Sequence, residues 1–196
     1  RRFITGRGKF VADVDVPNMR HVAILPSPHP RANIIKIDTS AALALSGVHY
    51  VLTGEELKEK TNSLFHGLDI PKVKWYPLAV GMTRYAGEWV AAVVADSRYI
   101  AEDAAELVEV EYEPLPAAID TEKMLEDDQP LVHPEHGSNI LFRKTWSWGP
   151  VEEDFESSPH NLSYRARWGR SSTVPIETFG VVAKWDEISE VLDVWA

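Results

Sequence analysis

The stretch at residues 84–116 limits the fold of this chain more than any other part of the sequence. Gly87 marks a turn, because glycine adopts backbone conformations that other residues avoid. A nearly unbroken apolar run follows at 88–95, which is typical of a strand covered on both faces. Asp96 and Ser97 then offer capping oxygens before an apolar series at helical spacing. This order predicts a buried strand, a helix and a second, half-exposed strand in close succession.

Upstream of this stretch, strand patterns alternate with short helical patterns. The strands are predicted at 19–25, 32–37 and 48–52. Residues 38–40 offer caps to a short helix that ends near Gly47, and Thr53 caps a helical turn that reaches Leu57. Residues 58–76 show no period and predict a long surface loop. The alternation predicts an α+β architecture.

The later part of the sequence changes from an acidic linker to a β-rich texture. Prolines, an acidic run and little periodicity mark residues 118–139. Strands are then predicted at 140–148, 162–169, 177–185 and 191–195, with a turn at 186–189 joining the last two. We therefore predict a domain at 1–117, a linker at 118–139 and a β-rich segment at 140–196. Because Ala196 falls inside a predicted strand, we expect another polypeptide, or a continuation of this chain, to cover the open sheet.

Composition argues against several classes of function. The chain has 196 residues and no cysteine, which excludes disulfides and cysteine-ligated iron–sulfur or zinc sites within it. A net charge of -10 disfavours nucleic-acid binding, and there is no apolar run long enough to predict a membrane span. The acidic residues concentrate at 102–128, where a solvated face is the simplest interpretation and a docking surface for a basic partner is the alternative. No secretory signal is visible, so we expect a cytoplasmic location.

Five segments in order along the chain carry a resemblance to a known family. They are RFITGRGKFVAD at 2–13, MRHVAILPSPHPRANIIKIDTSAALALSGV at 19–48, VLTGEEL at 51–57, PLAVGMTRYAGEWVAAVVA at 77–95 and AEDAAELVEVEYEPLPA at 101–117. Together they resemble the N-terminal hammerhead domain of the molybdenum-binding subunit in the xanthine dehydrogenase/aldehyde oxidase family of molybdenum hydroxylases. A later segment, VPIETFGVVAKWD at 174–186, looks like the start of that family's first molybdopterin-binding domain.

The resemblance implies a fold, an activity and a set of partners. The fold would be a hammerhead-type α/β domain followed by the first β-rich part of a molybdopterin-binding domain. The activity would be that of an oxidoreductase that hydroxylates a small molecule with oxygen from water. The resemblance further implies a hetero-oligomer in which electrons pass from molybdenum to 2Fe-2S centres and FAD on partner subunits.

The sequence also departs from the family pattern. The family's metal-side glycine-rich loop and its base glutamate lie downstream of this sequence, and residues 170–174 hold no substrate-side glutamine. We therefore expect the chain to complete the substrate channel and the subunit interface and to be inactive alone. The molybdopterin would be held mainly by a larger molybdenum-binding subunit or by a continuation of this chain.

By the same resemblance, three residues near the cofactor chamber are candidates for lining the pocket: Ser172, Thr173 and Glu177. Glu177 lies in an apolar stretch, where a buried carboxylate needs a partner. A structural glutamate bonded to backbone or to Arg170 is the favoured alternative. We assign no residue of this chain to catalysis or to metal binding.

Three other motifs suggest sites and have simpler interpretations. The glycines and Lys9 at 6–9 lack the Ser or Thr of a phosphate loop, so we predict a turn. His133-Pro134-Glu135-His136 groups metal-ligand types, but its place in an acidic, proline-bearing linker favours an exposed loop. Ser172 with His160 and Asp186 suggests a hydrolase triad without a nucleophile elbow. Two alternatives to a redox subunit therefore stay open, a non-redox interaction or scaffold protein that retains the hammerhead fold and an independent hydrolase.

Overall fold

The computed structural model describes residues 2–64, 67, 73–167, 169, 175 and 177–196. The strands in this part of the chain are β1 His21–Pro26, β2 Ala32–Asp38, β3 Val48–Thr53, β4 Met82–Thr83, β5 Trp89–Ala95, β6 Glu109–Pro114, β7 Val182–Asp186 and β8 Val191–Trp195. The α-helices are α1 Ser40–Ala44, α2 Gly54–Lys60, α3 Arg98–Glu106 and α4 Val151–Ser157. Short 3-10 helices lie at Phe3–Thr5, Val11–Asp13 and Lys123–Leu125. This mixture of helices and strands confirms the predicted α+β class.

The elements belong to two separate units of the chain. One is Arg20–Thr145, which holds β1 to β6 and α1 to α3. The other combines Arg1–Met19 with Trp146–Ala196 and holds α4, β7 and β8. The domain division predicted above, at 1–117, 118–139 and 140–196, stays a prediction.

Strand β5 is the centre of the larger unit. It lies between β1 and β3 and runs antiparallel to both. Its residues 90–93 are all buried, which confirms the doubly covered strand that the apolar run predicts. Helix α3 begins after Ser97, whose side chain accepts a hydrogen bond from the Ile100 amide at 3.3 Å. The buried alanines of α3 pack with Val93 and Val51 in one core cluster, so the helix and the sheet share a core.

A second sheet of the same unit has the strand order β4-β2-β6. Strands β2 and β6 are antiparallel, with Ile37 opposite Val110 and Lys36 opposite Glu111. Along β6 the glutamates are exposed while Val110 and Tyr112 are half-buried. This alternation confirms the half-exposed strand that the sequence predicts.

Two close contacts fix the turns around these sheets. Ser27, directly after β1, is buried, and its hydroxyl donates to the Thr83 hydroxyl of β4 at 3.3 Å. Its backbone exchanges hydrogen bonds with the turn at Gly87 and Glu88, each of 2.8 Å. At the start of α2, a Cβ on Gly54 would lie only 1.8 Å from the carbonyl oxygen of Ala79. The backbone of Ala79 therefore requires glycine at this position.

The smaller unit has far less buried surface. Strands β7 and β8 form a hairpin whose turn is held by Asp186, because its carboxylate accepts from the amides of Ile188 at 3.0 Å and Ser189 at 2.8 Å. The amide and hydroxyl of Ser189, with the amide of Ile188, lower the pKa of Asp186. The hairpin confirms the predicted β8 and turn, but β7 begins five residues later than the predicted 177–185 strand.

Two other strand predictions are wrong for the described residues. Residues 140–148 and 162–167 have no strand pairing. Alternation of apolar and polar side chains makes a strand only where a neighbouring strand accepts its hydrogen bonds. Within the described residues, the hairpin pairs only β7 with β8, so neither segment has a ladder to join.

Candidate functional site

The predicted pocket-lining residues fall in the smaller unit, and the structure describes one of them. Ser172 and Thr173 lie outside the described residues. Glu177 is exposed, and its carboxylate accepts a hydrogen bond from the Val11 amide at 2.9 Å. The expected burial of Glu177 is therefore wrong, because its side chain lies at the exposed surface of the described part of the smaller unit. The backbone contact agrees with the structural interpretation of this glutamate, whereas pocket lining by the three residues stays a prediction.

Glu177 stabilises the first turn of the short helix Val11–Asp13. The amides at the start of a helix have no partner within it, and a side-chain oxygen satisfies one of them. Asp13 contributes in the same way, since its carboxylate accepts from the Phe10 amide at 2.9 Å. Both carboxylates thus serve local backbone structure.

We expect Glu177→Ala to deprotect the Val11 amide against hydrogen exchange. Loss of this exposed hydrogen bond lowers the free energy of unfolding by about 0.5 kcal/mol, at the low end for such bonds. Glu177→Gln keeps an oxygen acceptor at the same position and should retain the protection of the Val11 amide. Equal deprotection in both variants would contradict the hydrogen-bonding role and would make the negative charge of Glu177 responsible.

A groove of about 530 Å³ borders the same helix. Its walls come from the segment at 9–16 and from Trp195 and Ala196. In the described part of the smaller unit, a Cβ on Gly6, Gly149 or Gly169 would meet nothing within 4 Å, one on Gly8 would lie 2.6 Å from the Phe3 side chain, and one on Gly180 would lie 3.4 Å from the Val11 side chain. None of these glycines is among the residues that line the groove. The groove therefore lacks the glycine-rich backbone that binds phosphate groups in many cofactor sites.

The larger unit holds a cluster of ionisable side chains around His133. The ring of His133 is only 5% exposed, and it meets the edge of the Trp75 ring with 5.8 Å between centroids. Its Nδ1 lies 3.2 Å from a carboxylate oxygen of Glu135, which in turn lies 3.6 Å from Nη2 of Arg84. The prediction of an exposed loop at His133–His136 is therefore wrong for His133. The sequence pattern does not show this burial, because Trp75 lies far from His133 in the sequence and contacts it only in the folded chain.

Ionisation in this cluster follows from burial and from the neighbouring charges. Burial lowers the pKa of His133 most, the hydrogen bond with Glu135 opposes that change, and the positive charge of Arg84 adds to it. Partial burial alone would raise the pKa of Glu135, but hydrogen bonds from its own amide and from His133, with the charge of Arg84, hold it below its usual value. At neutral pH the cluster therefore contains a neutral imidazole between an ion pair and an indole.

Glu88 is a second carboxylate near Arg84, and it is half-buried. It accepts a hydrogen bond from the Arg84 backbone amide across the turn at Gly87. Burial raises the pKa of Glu88, and the contact with the Arg84 amide acts in the opposite direction. Glu88 closes the turn that precedes β5, which is a structural role.

Neither a metal centre nor a hydrolase triad emerges from the described residues. Among them, no three His, Cys, Asp or Glu side chains come together as ligands for a metal ion. His160 is exposed, and the Asp186 carboxylate is occupied by the turn at 186–189. None of the helices in the described part of the chain has the length and apolar character of a membrane span.

Comparison with known proteins covers nearly all of the chain. The family model described as aldehyde oxidase and xanthine dehydrogenase, a/b hammerhead domain, matches residues 5–116. The nicotine 6-hydroxylase large subunit of Paenarthrobacter nicotinovorans is 34% identical over 99% of this chain, which corresponds to 24% of that subunit.

Solved structures agree with these sequence matches. Quinoline 2-oxidoreductase from Pseudomonas putida 86 superposes with a TM-score of 0.88 at 36% identity, over 99% of this chain and 25% of that one. A Cu,Mo-CO dehydrogenase superposes with a TM-score of 0.77 at 32% identity, over 99% of this chain and 26% of that one. The chain thus spans about a quarter of the length of the relatives it matches.

Proposed function

The chain belongs to the aldehyde oxidase and xanthine dehydrogenase family, whose a/b hammerhead domain it carries at residues 5–116, and from this premise we propose that it works as part of the molybdenum-binding subunit of a hydroxylase. It completes the substrate channel and the subunit interface of the complex. The whole complex is an oxidoreductase that hydroxylates a small molecule with oxygen from water. The isolated chain is inactive.

One observation carries this proposal. The match extends over 99% of this chain but only 25% of the matched protein. A chain that shares the fold of a quarter of an enzyme is expected to leave much of the chemistry to polypeptide outside it. The molybdenum cofactor is accordingly held by another chain or by further polypeptide of the same subunit, and 2Fe-2S and FAD reside on partner subunits.

The hairpin of the smaller unit supports the interface role. Its register places Ala183 opposite Val194 and Trp185 opposite Leu192. These four side chains share one face, because successive side chains of a strand alternate between its two sides. Trp185, Leu192 and Val194 are each more than half exposed. An apolar face of this kind needs a protein surface to cover it, and the molybdenum-binding polypeptide is the partner we assign to it.

The other face of the hairpin carries the charged pair Lys184 and Asp193, which lie opposite each other. On either side of that pair, Val182 lies opposite Trp195 and Asp186 lies opposite Val191. The charged pair gives a matched comparison for the apolar face. The division into a domain at 1–117, a linker at 118–139 and a β-rich segment at 140–196 is part of the same proposal, as is a cytoplasmic location.

The proposal is tested by purifying the tagged chain from its own cells and from a host that expresses it alone. We expect native mass spectrometry and metal analysis to find molybdenum, iron and flavin in the native complex. The complex should also contain polypeptide in addition to this chain. The chain expressed alone should contain none of the three. Stoichiometric molybdenum on the isolated chain would contradict the proposal that the cofactor is held by other polypeptide. A native complex without molybdenum, iron or flavin would favour the scaffold alternative.

Variants of the hairpin test the interface separately. Combined W185S and L192S substitutions should remove most of the recovered partner polypeptide, since they take away the apolar contact. Combined K184S and D193S substitutions change the opposite face of the same two strands and should leave recovery unchanged. Equal recovery with both variants would show that the apolar face is not the interface.

A further inference from the structure

The loop at residues 130–140, which we name the His133 loop, is a compact structure held by its own hydrogen bonds. The Asn139 side chain accepts from the Val132 amide at 2.9 Å and donates to the Pro130 carbonyl at 3.0 Å. Gly137, with a φ of 81°, closes a tight turn by donating its amide to the Pro134 carbonyl at 3.1 Å. These short-range bonds shape the loop, and we expect them to open more readily once the loop is no longer attached to the rest of the larger unit.

Attachment of the His133 loop depends mainly on two of its side chains. The His133 ring is buried and meets the edge of the Trp75 ring, while Glu135 lies 3.6 Å from Arg84, directly after β4. Asn139 adds a hydrogen bond to the Met124 carbonyl at 3.2 Å, but Met124 belongs to the segment that leads into the loop. His133 is thus the only buried side chain among the described residues of the loop.

The surroundings of His133 are poorly suited to a second positive charge. The titratable and charged groups that act on it are Arg84 from the end of β4, and Glu135 and His136 from its own loop. Trp75 contributes a ring and no charge to this contact. Within the described part of the chain, the buried Nε of Arg84 has no hydrogen-bond partner, and the Glu135 carboxylate lies 3.6 Å from the Nη2 of the same guanidinium. An imidazolium at His133 would be buried beside it with one carboxylate shared between the two cations.

We propose that the His133 loop is an acid-released latch, docked on Trp75 and Arg84 while His133 is neutral and freed when His133 takes up a proton. Burial lowers the pKa of His133 in the docked loop, so the released loop binds the proton more strongly. Docking is consequently complete above the pKa of a free imidazole, about 6.5, and weakens as the pH falls below it. The latch lies directly before the segment at 141–145 that leads to the smaller unit.

Amide hydrogen exchange on the full chain measures the release of the His133 loop. Protection factors, corrected for the intrinsic pH dependence of exchange, are compared at about pH 7.5 and about pH 5, above the range in which ordinary carboxylates titrate. We expect the amides of Val132, His136, Gly137 and Ile140 to lose protection on acidification by several-fold, with an upper limit of about 30-fold set by titration of a free imidazole. The amides of β5 should keep theirs.

Variants test whether His133 is responsible for the loss of protection on acidification, which we call the acid step. H133F fills the site beside Trp75 without a titratable group and should abolish the step. If H133F fails to fold, H133Q serves instead, because it also has no group that titrates in this range and should abolish the step. H160Q removes an exposed histidine of the smaller unit and should leave the step intact.

Three results would overturn the latch. The first is a wild-type chain in which the loop amides show no loss of protection between the two pH values. The second is an undiminished step in folded H133F, or in H133Q where that variant replaces it. The third is a parallel loss in β5, which would make the change a global unfolding.

Discussion

Gly54→Ala is expected to lower the free energy of unfolding of the larger unit by about 3 kcal/mol, although helix propensity alone favours alanine there by about 1 kcal/mol. Gly54 is the first residue of α2, and Thr53 caps that helix. The added Cβ would lie 1.8 Å from the Ala79 oxygen and 2.7 Å from the Ala79 carbonyl carbon. These are backbone atoms that no rotamer change moves aside, so α2 or the segment at Ala79 has to shift. The steric cost of the added Cβ therefore exceeds the gain in stability from the higher helix propensity of alanine.

Urea denaturation followed by circular dichroism measures this loss. Gly169→Ala is the matched control, since a Cβ on Gly169 would meet nothing within 4 Å and its φ lies outside the range that favours glycine. We expect the control to leave the midpoint unchanged. A Gly54→Ala variant as stable as the wild type, or more stable, would mean that α2 and Ala79 are not in the described contact.

Val93→Asp is expected to prevent the larger unit from folding at neutral pH. Val93 is fully buried in the central strand β5 and belongs to the core cluster shared with α3. The cluster consists of aliphatic side chains, so a carboxylate there would have no cation or donor beside it. Burial of an unpaired charge costs several kcal/mol, which is comparable with the whole stability of a typical domain. Protonation relieves part of this cost, so the variant should recover some structure towards pH 4, a value near the ordinary Asp pKa of about 3.9.

Val22→Asp gives the comparison for this variant. Val22 lies on the outer strand β1 and is 60% exposed, so the same chemical change leaves its charge in water. We expect a cost of about 1 kcal/mol, within the range of strand propensities. Far-UV circular dichroism and amide exchange of β5 distinguish the two variants. A folded Val93→Asp chain with β5 amides as protected as those of Val22→Asp would contradict the placement of β5 in the core.

Local signals in the sequence are sufficient to predict the strand–helix–strand unit at the centre of the fold. The apolar run of β5 and the cap at Ser97 each act over a few residues, and both are found at the predicted positions. The pairing of β1 with β5 and of β2 with β6 joins residues far apart in the chain, and one sequence carries little information about such a register. The strand predictions at 140–148 and 162–169 fail in their described residues for the same reason, because a strand exists only in a sheet.

The candidate site shows the same division between local and tertiary information. The sequence favours a bond from Glu177 to backbone, but its partner Val11 is 166 residues away and no local pattern identifies it. The acidic, proline-rich composition around His133 predicts an exposed loop. Its burial depends on Trp75 and Arg84, which approach it only in the folded chain. Sequence patterns therefore identify the kind of segment but not its neighbours.

Strand β6 has a consequence for the behaviour of the chain in concentrated solution. It ends the order β4-β2-β6, and Glu109, Glu111 and Glu113 project from it at every second position. A copy of the same strand from another molecule would bring three further carboxylates alongside these, and Pro114 has no amide hydrogen to offer it. Repulsion between like charges therefore discourages fibre growth from this side of the sheet.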